Sequence, residues 1–196
     1  LVAGSLAAWN GYQYWQNRQA VQAAALYDAV DAAARSGDSA RMEQAFVDLK
    51  AKYSGTAQAA QAGLTLAKAL LDNGNPDGAK EALSWVSEKS SDDGLKALAK
   101  LRLSSVLMDQ KIYDEALKLV SSASPPEFEA VYADRKGDIL VLQDKRTEAI
   151  AEYTRAHKSF EEGLEYRRLV EIKLNALGAA PVGLAVTVAD AVGGAK

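Results

Sequence analysis

Lys68, Arg102 and Arg135 recur at intervals of 34 and 33 residues. A cation repeated at such steps along one surface suits the side chains and terminus of an extended, carboxylate-bearing peptide. A step of 37 residues relates Lys68 to Asp31 and Leu64 to Tyr27, and Asp138 lies one helical turn after Arg135. Tyr27, Lys68, Arg102, Arg135 and Asp138 are therefore the candidate lining of a peptide groove. A second account uses the same residues. Asp72, Asp109 and Asp138 follow the three bases at helical spacings, so the charges also read as local ion pairs on a solvated helix face.

Other chemistry finds little support. The chain has no cysteine, which removes disulfides, thiol catalysis and thiolate metal sites. His157 is the only histidine, and beside Lys158 it reads as a helix-surface residue. Asp92/Asp93 and Glu161/Glu162 are the densest carboxylate pairs. Adjacent side chains on a helix diverge, so these read as helix-start acids favoured by the macrodipole and not as a cation cage. "NGNPDG" at 73–78 lacks a following Gly-Lys-Ser/Thr, and is a turn rather than a phosphate cradle. No Gly-x-Ser-x-Gly occurs. No catalytic, cofactor-binding or metal residue is assigned, and no cofactor is implied. Formal charge is −3 and the pI is near 5.3, with Lys136, Lys145 and Arg146 scattered among Asp134, Asp138 and Asp144. That leaves no basic face for nucleic acid.

The elements that would present such a groove are helices. Hydrophobic residues make up 48% of the chain, alanine is abundant and β-branched runs are scarce, which favours an all-α fold. Breaker clusters such as "RSGDSA", "DNGNPDG", "SSDDG" and "SASPPE" separate helical segments of about 12 to 18 residues. Ile112, Ala116, Leu119, Val120 and Ala123 form one helix face, and Ala149, Ile150, Tyr153, Ala156 and Phe160 another. These faces repeat. Met42, Phe46 and Leu49 precede Ala79, Leu83 and Val86 by 37 residues; those precede Ala116, Val120 and Ala123 by 37; and those precede Ala149, Tyr153 and Ala156 by 33. Gly37, Gly74, Lys111 and Asp144 mark the turns at the same periods. Four helix pairs follow, at about 19–53, 56–90, 94–123 and 127–160, with a further helix at about 161–177.

Small residues where helices cross, with a large ring beside them, resemble the tetratricopeptide repeat. Gly137 with Ala149, Tyr153 and Ala156 fits best; Met42 and Ser104 depart from the pattern. The fold expected is an all-α, tetratricopeptide-like helical repeat array with about four helix pairs and a C-terminal capping helix. The paired asparagines of tetratricopeptide carboxylate clamps are absent. In the last helix, Leu164, Leu169, Ile172 and Leu174 occupy more than one side. One side covers Tyr153 and Phe160. The other, with Leu164, Arg167, Arg168 and Ile172 and the neighbouring Lys173, is a candidate surface for partner docking. Gly178 and Pro181 stop that helix. The apolar tail 178–196 reads equally as a cap over this surface, a flexible segment or an appendage.

Trp9, Tyr12 and Trp15 fall at helical spacing, directly after the nearly uncharged "LVAGSLAAW" and directly before the polar "QNRQ". Either they form a core stripe against the first repeat, or they form a membrane-interface belt of rings with a polar edge. Nine helical residues cover roughly 14 Å, while a span needs about 20 residues. The belt reading therefore expects ten or more further apolar residues upstream, preceded by Lys/Arg. Arg18 is the only base among residues 1–34, which places the repeat domain on the outer side. Residues 1–18 then read as the end of an anchor with its juxtamembrane segment, 19–177 as the repeat domain and 178–196 as the tail.

Together, "AAWNGYQYWQNRQ", "AALYDAV", "LKAKYSGTAQAAQAGLTLAKALLDNGNPDGAKEAL" and "YADRKGDILVLQDKRTEAIAEY" resemble the YfgM-like ancillary subunits of the bacterial SecYEG translocon. Family members usually have a proline where this chain has Ser54-Gly55. The resemblance implies a non-enzymatic, single-pass inner-membrane protein with a periplasmic tetratricopeptide-like domain. The partners it implies are the translocon, a PpiD-like periplasmic chaperone and emerging client chains. The other class of function consistent with the residues is a soluble peptide-binding adaptor or envelope-assembly scaffold.

Overall fold

A computed structural model describes residues 2–161 and 163–179. Among the described residues the protein is all-α, with nine α-helices and one short 3-10 turn. They are α1 (Val2–Ser36), α2 (Ser39–Tyr53), α3 (Ala57–Asp72), α4 (Pro76–Lys89), α5 (Asp93–Asp109), α6 (Tyr113–Ser121), α7 (Glu129–Leu142), α8 (Arg146–Ser159) and α9 (Glu165–Ala176), with the 3-10 turn at Pro126–Phe128. The expected four pairs are α1/α2, α3/α4, α5/α6 and α7/α8, and α9 is the extra helix. The chain divides into two compact units, Leu1–Leu119 and Val120–Lys196.

The four period-marking turns share one geometry. Gly37, Gly74, Lys111 and Asp144 all have φ between 59° and 73°. At each, two backbone N–H groups reach back to the preceding helix, as when Lys111 N donates to Met108 O (2.9 Å) and Ile112 N to Leu107 O (2.8 Å). This left-handed cap satisfies carbonyls a helix end otherwise leaves open. Glycine adopts it without strain; a lysine does so at a cost. Lys111 is exposed, so Lys111→Gly is expected to raise stability by about 0.5–1 kcal/mol. A thermal melt that does not move, or falls, would refute this.

In the first unit α3 is the interior helix. Ala59, Ala60, Ala62, Leu64, Leu66, Ala67 and Leu70 are buried around nearly its whole circumference. Alanines let its neighbours approach closely, and Met42, Leu49, Leu83, Val86 and Leu107 fill the remaining space, each at most 2% exposed. Side-chain caps start several helices: Asp38 accepts from Arg41 N, Thr56 from Ala59 N, Asn75 from Gly78 N and Asp92 from Leu95 N. The assignment of Asp92 as a helix-start acid holds. α1 buries Ala23, Val30 and Ala33, and runs as one helix through position 18.

The second unit is built on α7 and α8, with α9 laid over them. Ala133, Ile139, Ala149, Tyr153, Ala156, Val170 and Leu174 are buried there. One expectation fails at the boundary before it. α6 stops at Ser121, and Ala123 is exposed instead of extending the buried face. Ser124-Pro125-Pro126 follows, and a residue before proline is driven out of the helical region, so the helix has no room for another turn.

Candidate functional site

Lys68 on α3 and Arg102 on α5 do come together. They line a cleft of about 260 Å³ with Leu71, Asp72, Ser105 and Asp109. Both bases also have local partners. Lys68 Nζ donates to Asp72 Oδ2 at 2.5 Å, and Arg102 Nη1 reaches the Leu64 carbonyl at 3.5 Å. Asp31, one repeat earlier, pairs with Arg35 on the same helix. Tyr27 is half-buried on α1 and does not line this cleft. Exposed i,i+4 pairs contribute only about 0.3–0.5 kcal/mol and exchange readily for a ligand carboxylate.

Arg135 and Asp138 lie on α7 in the second unit. Asp138 turns inward, accepting from Tyr153 Oη (2.8 Å) and from Lys173 Nζ (2.7 Å). It belongs to a buried polar network absent from the sequence reading. Asp134, 1% exposed, accepts from Lys173 Nζ at 2.8 and 2.9 Å and from Tyr166 Oη at 2.9 Å. Lys173 therefore does not flank the outer face of α9, as the sequence suggests; it pins α9 to α7. His157 also departs from expectation. It is not a surface residue: its side chain is 13% exposed, with Nε2 2.9 Å from Glu171 Oε1 and 3.2 Å from Arg167 Nε. α9 covers that side of α8, which the local sequence does not reveal.

The network shifts its phenols. Burial pushes the Tyr132 hydroxyl from 10.0 to about 12. Burial, with the negative charge of Asp134, takes Tyr166 to about 12 as well. Tyr153 is raised further by burial and by its bond to Asp138. The folded state thus holds protons that an unfolded chain releases above pH 10, so stability is full below about pH 10 and is lost as pH rises through about 12. For Tyr132 that loss is of order 2–3 kcal/mol. The phenolate absorbance of Tyr132, isolated as the difference between the parent and Tyr132→Phe, is expected to rise together with loss of helical circular dichroism in that interval. That difference signal appearing without loss of helix would contradict the burial of Tyr132.

The outer side of α9 carries Leu164 (47% exposed), Leu169, Arg168 and Ile172 (58%). Arg167 leans back onto His157. Val170 and Leu174 face inward, and the Tyr166 ring lies tilted against Phe160 with centroids 5.1 Å apart. The helix is apolar on two sides, as its sequence suggests. Tail residues 180–196 lie outside the described residues.

On α1, Trp9, Tyr12, Tyr14 and Trp15 are all more than half exposed. Tyr12 and Trp15 stack on each other at 6.3 Å, and Gln16 donates to the Tyr12 hydroxyl. A core stripe is therefore excluded for these rings. Among the described residues no helix is long and apolar enough to cross a membrane.

Residues 1–179 match the family described as a tetratricopeptide repeat-like domain. The chain is 32% identical over 171 residues to a Neisseria gonorrhoeae protein named ancillary SecYEG translocon subunit, covering 85% of this chain and 82% of the relative. A Haemophilus influenzae protein of the same name is 31% identical over 173 residues, with the same coverage. One from Aggregatibacter actinomycetemcomitans is 26% identical over 177 residues, covering 90% of this chain and 85% of the relative.

Proposed function

Because the chain belongs to the tetratricopeptide repeat-like family of ancillary SecYEG translocon subunits, we propose that it serves the translocon as a membrane-associated subunit whose helical repeats recruit other proteins. The family is one of protein interaction, not catalysis. The observation that carries the reading is the exposed aromatic segment of α1. Four large rings held in water on one short stretch suit a bilayer interface, where an apolar body and a polar edge both find their medium. Residues 1–18 then close a single membrane anchor, with the repeat units on the periplasmic side of the inner membrane.

Two surfaces suit partners. The cleft holding Lys68 and Arg102 fits an acidic or carboxylate-ended peptide, as an emerging client chain offers. The outer face of α9, with Leu164, Arg168 and Ile172, fits a folded partner such as a PpiD-like chaperone. Affinity co-purification from solubilised membranes tests the assembly. The translocon subunits are expected to come down with the full-length protein. Ile172→Glu with Arg168→Glu is expected to release the chaperone while leaving the thermal melt unchanged. Lys68→Glu with Arg102→Glu is expected to weaken acidic-peptide binding and flatten its salt dependence. Translocon subunits missing from the co-purified fraction would refute the central reading. Retained chaperone would refute docking on α9 alone.

A further inference from the structure

A second cleft, of about 630 Å³, opens between α1 and the α2–α3 turn. Tyr12, Trp15 and Gln16 line it from α1, Lys52 and Tyr53 from the end of α2, and Gly55 from the turn. The turn is tied in place: Tyr53 Oη donates to Gln22 Oε1 (3.3 Å), and Ser91 Oγ donates to the Gly55 carbonyl (2.9 Å). The lining is unusual for an acidic chain. Among the described residues no Asp or Glu lines the cleft, and Lys52 is the single charge in its lining. Asp48, one helical turn back, lies 3.6 Å from Lys52 Nζ, a loose contact that leaves the ammonium able to take a stronger acceptor.

We propose that this cleft holds the phosphate-bearing headgroup of a membrane glycerophospholipid, so that the α2–α3 turn rests on the bilayer beside α1. The proposal rests on the reading of the α1 rings as an interface belt. Lys52 supplies the phosphate contact, Gln16 and Tyr53 supply uncharged polar groups, and the stacked faces of Tyr12 and Trp15 suit an ethanolamine cation. The heights agree. From Trp9 to Trp15 a helix rises about 9 Å. The headgroup layer on each side of a bilayer is about 5–8 Å thick. With Trp9 at the hydrocarbon edge and α1 along the membrane normal, Tyr12 stands about 4.5 Å and Trp15 about 9 Å above it, so the lower mouth of the cleft opens at the headgroups and Lys52 extends toward the phosphates from above. An acyl chain is a poor occupant of a site lined by amides, hydroxyls and an ammonium.

The absence of cysteine makes the test direct. In the full-length protein, a probe is placed at Gly55→Cys, where an added Cβ meets nothing within 4 Å, and separately at Arg41→Cys, exposed at the other end of α2. Collisional quenching by a water-soluble quencher is compared in phosphatidylethanolamine/phosphatidylglycerol vesicles and in uncharged maltoside micelles. In vesicles quenching is expected to fall several-fold at 55 and to stay unchanged at 41. Lys52→Glu is expected to restore quenching at 55 while the protein still floats with the vesicles. Equal quenching at 55 in both media, with flotation intact, overturns the headgroup site and leaves the anchor standing. Protein that stays in the aqueous phase overturns both. Protection at 55 produced in micelles by glycerol phosphate alone assigns the cleft to a soluble phosphate ester and overturns the lipid.

Discussion

Lys173→Met is expected to destabilise the second unit by about 3–5 kcal/mol, the range for removing one partner of a buried ion pair. The Lys173 ammonium touches three carboxylate oxygens, two on Asp134 and one on Asp138, at 2.7 to 2.9 Å. It also sits 5.4 Å from the centre of the Tyr153 ring. Without it, Asp134 keeps, among the described residues, only the Tyr166 hydroxyl for a charge that is 1% exposed. Methionine retains the length and apolar stem of the lysine, so the change reads the charge and not a cavity. Asp134→Leu in the same chain removes the stranded charge, and the double variant is expected to recover most of the loss. A single variant costing under about 1 kcal/mol would mean the pair behaves as a solvated one. Because Lys173 holds α9 in place, the single variant is also expected to weaken any partner docked on the outer face of that helix.

That lysine also shows where sequence reading stops. The turns were legible because local backbone and long period make the same demand. Gly37 and Gly74 announce a left-handed cap by composition, and the 37- and 33-residue periods extend the assignment to Lys111 and Asp144, which composition alone would not choose. The buried faces of α2, α4 and α8 were legible for the same reason. Lys173, Asp134 and His157 were not. Each sits on a helix among other charges, and whether such a residue meets water depends on the helix laid over it, here across up to 39 residues of sequence. "ADRKGD" reads as a solvated run, yet its first acid is fully covered. The α1 rings were ambiguous in a different way. Spacing gives a face but not its neighbour, so a core stripe stays open beside an interface belt until exposure removes the core stripe. The groove was partly legible: the period found Lys68 and Arg102, which share a cleft, but could not tell that Asp138 turns inward.

Glycine to alanine at two helix-interior positions is expected to act with opposite sign, and the larger effect falls at the repeat's crossing point. At Gly137 an added Cβ lies 2.3 and 2.4 Å from two carbons of the Tyr153 ring and 2.8 Å from a third. These are atoms of a rigid ring whose hydroxyl is held by Asp138 and whose face lies under Lys173. The ring cannot yield alone, so α7 and α8 must separate. Such overpacking costs about 1–3 kcal/mol or more, against a gain of about 0.5–1 kcal/mol for alanine over glycine within a helix. The net expectation is a loss of about 1 kcal/mol, the difference of those two ranges' typical values. At Gly11 a Cβ meets nothing within 4 Å, so only the helix-propensity gain remains, and Gly11→Ala should be neutral or stabilising. The contact is isolated by adding Tyr153→Leu. Removing the ring makes room for the methyl, so Gly137→Ala should cost far less in that background than in the parent. Equal costs in the two backgrounds would show that Gly137 is needed for its backbone and not for the ring, and would break the link between the small first-helix residue and the large second-helix residue on which the repeat is built.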